Sequence, residues 1–292
     1  MKIAFIGGGK VGKSLGKYLK NHHYQLLGYL SSTKTSAKGA AGFTDSHAWN
    51  SLGELVSAAD IIFITTPDHL IEAIAGEIGA LRLPLKNKIF VHTSGAWGVK
   101  LLEPIRKTHP ESLLCSLHPL QAFASPEKGV ADLSLTVFTL EGDQEAAEKI
   151  YRMVTNCGNQ CFLLEGKNKP LYHGAACVAS NYLVTLLNLS MKLMEAAGIG
   201  AEEGLAAMLP LIQTTLDNVK VMGAAPALTG PIARGDRATV KQHLEAMARE
   251  CPQLLPLYRT LGEETWKLAM EKPGNPGEMD QSFDQLWKGE GL

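Results

Sequence analysis

The sequence predicts an α/β protein: a doubly wound, mostly parallel Rossmann sheet followed by an all-helical second domain. Three observations carry this. The chain opens on an apolar strand that runs straight into a glycine turn at Gly7, Gly9 and Gly12. Over the first half, short apolar runs alternate with helical patterns, which implies parallel pairing with helical crossovers on both faces of a sheet. After Glu165 no convincing strand pattern occurs, so the domains are expected at 1–166 and 167–292.

Taken in order, Lys2–Ile6 reads as a strand, Gly9–Lys20 as a helix and Gln25–Leu30 as the second strand. Gly42–Thr44 reads as a weaker third strand and Ser51–Ala59 as a helix. Ile61–Thr65 is the clearest buried strand, and Asp68 suits the cap of a helix running to about Leu81. Lys88–His92, Leu113–Leu117, Leu135–Leu140 and Gln160–Leu164 supply further strands, with a helix over Gln144–Asn156 before the last. Beyond them, Leu171–Ala197 reads as one long helix, followed by helices over Ala201–Val221, Ala238–Ala248 and Gln253–Met270. Pro210 falls inside the second of these, where a proline kinks a helix. A Gly- and Pro-rich tail from Lys272 leads to an amphipathic piece, Ser282–Lys288.

With 28 Lys+Arg against 29 Asp+Glu, the chain presents no overall field for nucleic acid or an anionic membrane. No uninterrupted apolar run approaches the ~20 residues that span a bilayer, and the start lacks a signal peptide's pattern. A cytosolic protein is expected. The five scattered cysteines then read as buried or half-buried thiols, and no metal site is expected.

The GxGxxG spacing has a mechanical meaning. Gly7 permits a tight turn, Gly9 lets backbone approach a pyrophosphate, and Gly12 lets helix and strand pack closely. Lys10 and Val11 open a helix whose N-terminus attracts phosphate. An NAD site usually carries an acid about 20 residues past the turn. This chain has Ser31, Ser32, Thr33 and Lys34 there, hydroxyls and a cation that suit the 2′-phosphate of NADP(H). Thr66 and Pro67, just past the strand at Ile61–Thr65, complete the expected cofactor site.

Ligands in open α/β sheets bind beyond the carboxyl ends of the strands. That rule selects Thr66–Asp68, His92–Gly95 and His118–Gln121. His118 is the leading acid/base candidate, because imidazole titrates near neutral pH. Ser94 is either a substrate-orienting hydroxyl or a turn former; His92 reads as packing and Asp68 as a helix cap. His173, Cys177 and Asn181 share one helix face, either lining a cleft or forming the wet side of a packed helix. In Leu228–Asp236, Thr229 and Arg234 are candidate substrate ligands. Arg234 could hold a carboxylate through paired bonds, or simply pair with Asp236.

The motifs Gly-Gly-Gly-Lys-Val-Gly, Thr-Pro-Asp, His-Thr-Ser-Gly-Ala, His-Pro-Leu-Gln, Tyr-His-Gly-Ala, Ser-Asn-Tyr and Leu-Thr-Gly-Pro-Ile-Ala-Arg-Gly-Asp stand in this order. Over nearly its whole length the chain resembles the Rossmann-like proteins with a helical C-terminal domain of unknown function, described as NADP oxidoreductases. Their wider superfamily includes 6-phosphogluconate and β-hydroxyacid dehydrogenases, ketopantoate and pyrroline-5-carboxylate reductases, prephenate dehydrogenases and deazaflavin-dependent NADP reductases. Resemblance to prephenate dehydrogenases implies Ser94 and His118 beside a nicotinamide. Resemblance to β-hydroxyacid dehydrogenases implies Asn181 as a substrate-binding asparagine, while their catalytic lysine falls at Cys177. The lysine-based proton donor is therefore missing, and His118 or His173 must substitute. The superfamily also implies a homodimer.

These readings lead to an NADP(H)-dependent reductase of a small carboxylate-bearing keto or imine compound, with a ketopantoate-like keto acid as first substrate. His118 is expected to donate the proton, assisted by Ser94, while Asn181, Arg234, Thr229 and Gln121 hold substrate. The alternatives are a catalytically silent NADP-binding regulator and an oxidoreductase exchanging electrons between NADP and a deazaflavin coenzyme.

Overall fold

The computed structural model describes residues 1–272 and 281–288. The chain divides into two compact units, Met1–Asn181 and the residues from Tyr182 onward.

The first unit is built on an eight-stranded sheet in the order β3-β2-β1-β4-β5-β6-β7-β8. Its strands are β1 (Lys2–Ile6), β2 (Gln25–Leu30), β3 (His47–Ala48), β4 (Ile61–Ile64), β5 (Ile89–His92), β6 (Leu113–Pro119), β7 (Phe138–Gly142) and β8 (Cys161–Leu163). All pairs are parallel except β6 with β7. The helices are α1 (Lys10–Asn21), α2 (Lys34–Thr44), α3 (Leu52–Ala58), α4 (Asp68–Gly79), α5 (Glu103–Thr108), α6 (Pro126–Leu133), α7 (Gln144–Asn156) and α8 (Lys169–Cys177).

Alternation along β1 shows why the sheet is doubly wound. Ile3 and Phe5 enter one buried cluster with Tyr29, Phe63 and Leu15 of α1. Ala4 and Ile6 enter the opposite cluster with Leu55 of α3 and Ile71 of α4. Successive side chains point to opposite faces, so a strand apolar at every position must be covered twice.

Two expectations about the sheet and its helices are corrected first. Gly42–Thr44 is the last turn of α2, and the third strand lies after it, at His47–Ala48. Two glycines argue against helix by propensity, but Thr33 caps α2 and Ala37, Ala40 and Ala41 bury its inner face. Asp68 does not cap α4: it is the first helical residue, preceded by Pro67, and its carboxylate bonds to Ser94 instead.

The second unit has helices and no strand among its described residues: α9 (Leu183–Ala196), α10 (Ala201–Met222), α11 (Ala224–Ala227), α12 (Arg237–Glu250), α13 (Leu255–Met270) and α14 (Gln281–Lys288). Its core joins Val240 and Leu244 to Trp266, Phe283 and Trp287, with Trp266 and Phe283 stacked at 4.3 Å. The amphipathic piece at 282–288 thus folds as α14, while the Gly- and Pro-rich stretch at 273–280 lies outside the described residues.

The long helix expected over Leu171–Ala197 is interrupted by a π turn at Val178–Tyr182. The helical stretch Gly166–Ala196 is, by length and composition alone, long and apolar enough to cross a membrane. No continuous apolar run signals it, because Lys169, His173 and Asn181 interrupt the sequence. Its beginning is bonded to the sheet through Lys169 and Tyr172. All five cysteines are free.

Candidate functional site

The glycine turn is shaped by Thr65. Gly7 has φ +117° and donates its N–H to Leu30 O at 2.8 Å, while Thr65 Oγ1 donates to Gly7 O at 2.9 Å. A Cβ at Gly12 would collide with Gly7 O and Thr65 Oγ1, whereas one at Gly9 would meet nothing within 4 Å. Gly12 is therefore a packing glycine, and Gly9 borders open space.

Gly9 precedes α1 without a side-chain cap, and the first intrahelical bond there runs from Lys13 N to Gly9 O. Lys10, Val11 and Gly12 thus present N–H groups with no intrahelical acceptor. The start of α2 is close by: a Cβ at Gly8 would lie 2.9 Å from Ser36 Oγ, to which Ser31 donates at 3.1 Å. Thr33 accepts from Ser36 N, and Ser32 and Lys34 are exposed. Beyond β4, Thr66 Oγ1 is buried without a partner among the described residues. Free N–H groups, an open glycine and an orphaned hydroxyl fit a dinucleotide phosphate along this edge.

After β5 the chain makes a tight polar turn. His92 is fully buried; its Nδ1 accepts from Ser94 N at 3.2 Å and its Nε2 lies 3.1 Å from Gly98 O. The first bond leaves the proton on Nε2, which donates to Gly98 O. Burial, with the Lys169 ammonium second, holds its pKa at about 3, so His92 is a neutral bracket. Ser94 donates to Asp68 Oδ2 at 2.8 Å and accepts from Trp97 N at 3.2 Å, which fastens this turn to α4.

His118 stands near the carboxyl end of β6. Its Nδ1 is 2.8 Å from the Tyr172 hydroxyl, and the two rings meet edge to face at 5.6 Å. A methyl group on Gly95 would fall 2.7 Å from His118 Nε2, so the imidazole rests on bare backbone. Burial first, then the charges of Lys169 and His173, push its pKa down to about 4. Beside the pair lies a cavity of about 630 Å³. His118, Gln121, Tyr172, His173, Cys177 and Asn181 contribute to its wall. The structure thus brings together four predicted residues, His118, Gln121, His173 and Asn181. Gln121 is locally engaged, donating to Thr136 Oγ1 and accepting from Ala122 N. His173 Nδ1 lies 3.8 Å from Cys177 Sγ.

Thr229 and Arg234 belong to the second unit, both exposed on the loop before α12. Asp236 caps α12 through Thr239, and no Arg234–Asp236 ion pair forms among the described residues.

Sequence reasoning missed two residues. Tyr172 passed as part of a motif. Lys169 is fully buried, and its Nζ donates to Ser94 O and Trp97 O, each at 2.9 Å, and to Ser116 Oγ. Burial lowers its pKa to about 8, against the pull of Glu141, Cys115 and Asp68. A lysine followed by proline at the start of a helix reads as solvent-facing, so nothing local announced its burial.

Comparison with known proteins accords with this architecture. A candidate NADP oxidoreductase from Bacteroides fragilis is similar in structure, with 22% identity and a TM-score of 0.75 over 91% of this chain and 98% of that one. A protein from Thermotoga maritima reaches 24% and 0.70 over the same shares. A reductive aminase from Aspergillus terreus, seen with NADPH and ethyl-5-oxohexanoate, reaches 14% and 0.65 over 98% of this chain and 99% of that one. None of the curated proteins matches the chain. Residues 1–119 match the Rossmann-like domain, and residues 136–265 match the domain of unknown function DUF2520. The chain is accordingly a Rossmann-like protein that carries a DUF2520 domain, the family with a helical C-terminal domain that its motifs resemble.

Proposed function

We propose that the protein is an NADP(H)-dependent oxidoreductase that reduces a small carbonyl or imine compound in the cavity beside His118. One observation carries the reading. The His118–Tyr172 pair borders a cavity at the same end of the sheet where the Gly7–Gly12 turn presents unbonded N–H groups. The NADPH complex of the similar Aspergillus terreus reductive aminase supports the cofactor. Ser31, Ser32 and Lys34 favour NADP(H) over NAD(H).

A bound reduced nicotinamide supplies a hydride. The substrate carbon takes it, the substrate oxygen or nitrogen takes a proton, and the double bond becomes single. His118 cannot meet the substrate as a cation near pH 7, because its pKa lies at about 4. It works as a neutral ring: Tyr172 donates at Nδ1, so Nε2 carries the proton offered to the substrate atom. As Nε2 gives its proton, Nδ1 takes the one from Tyr172, which recovers it from water. Ser94, expected as the assistant, has its proton on Asp68 and steadies the turn. Asn181 and Gln121 orient the substrate, with His173 beside them. A ketopantoate-like keto acid is the first compound to try.

Thermal unfolding with NADPH, NADH or neither tests the cofactor: ligand at ~100 times Kd stabilises by ~2.7 kcal/mol. NADPH oxidation with a panel of keto acids, ketones and imines then tests the reaction, and His118→Ala should cost roughly 10²–10⁴-fold. Binding without oxidation of NADPH by any member would replace this reading with a silent NADP-binding protein. A cytosolic homodimer belongs to the same proposal; exposed Leu211 (68%) and Val221 (81%) on α10 support it, and light scattering tests it.

A further inference from the structure

The Lys169 ammonium is the buried charge that the mechanism above leaves unused. It has three acceptors, two carbonyls and a hydroxyl, and no carboxylate within ion-pairing distance among the described residues. A buried cation so partnered is costly to keep. Its position is specific. Ser116, which it bonds, precedes His118 by two residues on β6, so both side chains stand on one face of the strand, roughly 7 Å apart along it. Tyr172, one turn after Lys169 on α8, bonds His118 itself. Two helix residues thus grip two strand residues in register.

We propose that Lys169 is a positioning residue whose buried ammonium, fixed on Ser116 while Tyr172 holds His118, selects substrates that become anionic as they react over substrates that arrive as cations. The proposal rests on the reading of His118 as the group that meets the substrate. A ketone gains negative charge on oxygen as hydride reaches its carbon, and a nearby fixed cation lowers that barrier. An iminium enters positive and is repelled by the same charge.

The groups facing His118 define the competition. On α8 they are Lys169, Tyr172 and His173; from β5 comes His92, held neutral; from β7, the residue opposite is Thr139, which carries no charge. Glu141 and Asp68 act on Lys169 rather than on the ring. Lys169 is thus the one fixed cation among these neighbours.

Titration of the His118 ring by NMR in the full chain tests the electrostatic half without turnover. Lys169→Met should raise its midpoint by about one to two pH units, and Lys169→Arg should restore the low value. An unchanged midpoint in folded Lys169→Met overturns the proposal. Should that variant not fold, the wild type decides: the His118 carbon shifts should carry a second inflection near pH 8, where Lys169 deprotonates, and a flat profile overturns the idea. NADPH oxidation with cyclopentanone and with N-methyl-1-pyrrolinium, a ring of equal size and fixed charge, tests selection. Lys169→Met should lower ketone turnover at least about tenfold without lowering that of the iminium; equal losses mean a merely structural lysine. If the wild type oxidises NADPH with neither these compounds nor the wider panel, the reductase reading fails, and the NMR titration alone decides what Lys169 does to His118.

Discussion

Gly95 and His118 lie closer than any other side chain at residue 95 would allow: a Cβ there would sit 2.7 Å from Nε2 and 2.8 Å from Cε1. The ring cannot easily retreat, because Tyr172 holds its other nitrogen. Gly95→Ala should therefore destabilise by about 1–3 kcal/mol, as overpacking does. Turnover should fall with it. Thermal melting and steady-state NADPH oxidation check both, and a variant with unchanged melting and rate would show that the ring moves freely.

Tyr172→Phe removes one hydrogen bond and little volume. Its stability cost should be about 1 kcal/mol. The larger effect should be on turnover, since Nδ1 then has no proton source among the described residues. A variant retaining full kcat would break the relay.

The glycine turn separates fold from ligand. Gly12→Ala should unfold the turn, because the methyl meets Gly7 O and Thr65. Gly9→Ala faces open space and should melt like the wild type without ligand. It should nevertheless lose most of the ~2.7 kcal/mol that saturating NADPH confers, because the methyl occupies the phosphate's approach. Ligand-dependent melting of the pair reads this directly.

Acid should weaken the fold through its neutral histidines. His92 and His118 titrate at about 3 and about 4 when folded, against 6.5 in the unfolded chain. Between these values the unfolded chain binds more protons, so stability falls as pH drops below about 6.5. By pH 4 the loss is on the order of 3 kcal/mol for each histidine. Denaturant titrations at pH 7 and pH 4 measure it, and His118→Asn should lessen the slope.

The parts of this architecture that repeat a local rule were readable from residues alone. A strand such as Ile61–Ile64, apolar at every position, has to be buried on both faces, and the Gly7–Gly12 spacing has to turn. His118 was found the same way, by its place near a strand's carboxyl end. What escaped depends on tertiary partners. Asp68 looked like a cap because it begins a helix, yet its carboxylate is claimed by Ser94, a residue 26 positions on. Helix α2 looked like a strand at its end because packed alanines outweigh two glycines. Lys169 left no mark, since burial of its ammonium is decided by Ser94, Trp97 and Ser116, all more than 50 positions away.

The interior lysine also gives the fold an alkaline signature. Folded, Lys169 loses its proton at about pH 8; unfolded, it holds one until 10.5. Melting the protein at pH 9 must therefore draw about one proton out of the buffer at this residue. The heat of unfolding measured there should vary with the ionisation enthalpy of the buffer in proportion to the net proton uptake, and Lys169→Met should lower that uptake by about one proton. Since the unfolded chain binds the extra proton, this lysine makes the fold firmer, not weaker, as the solution passes from pH 8 towards 10.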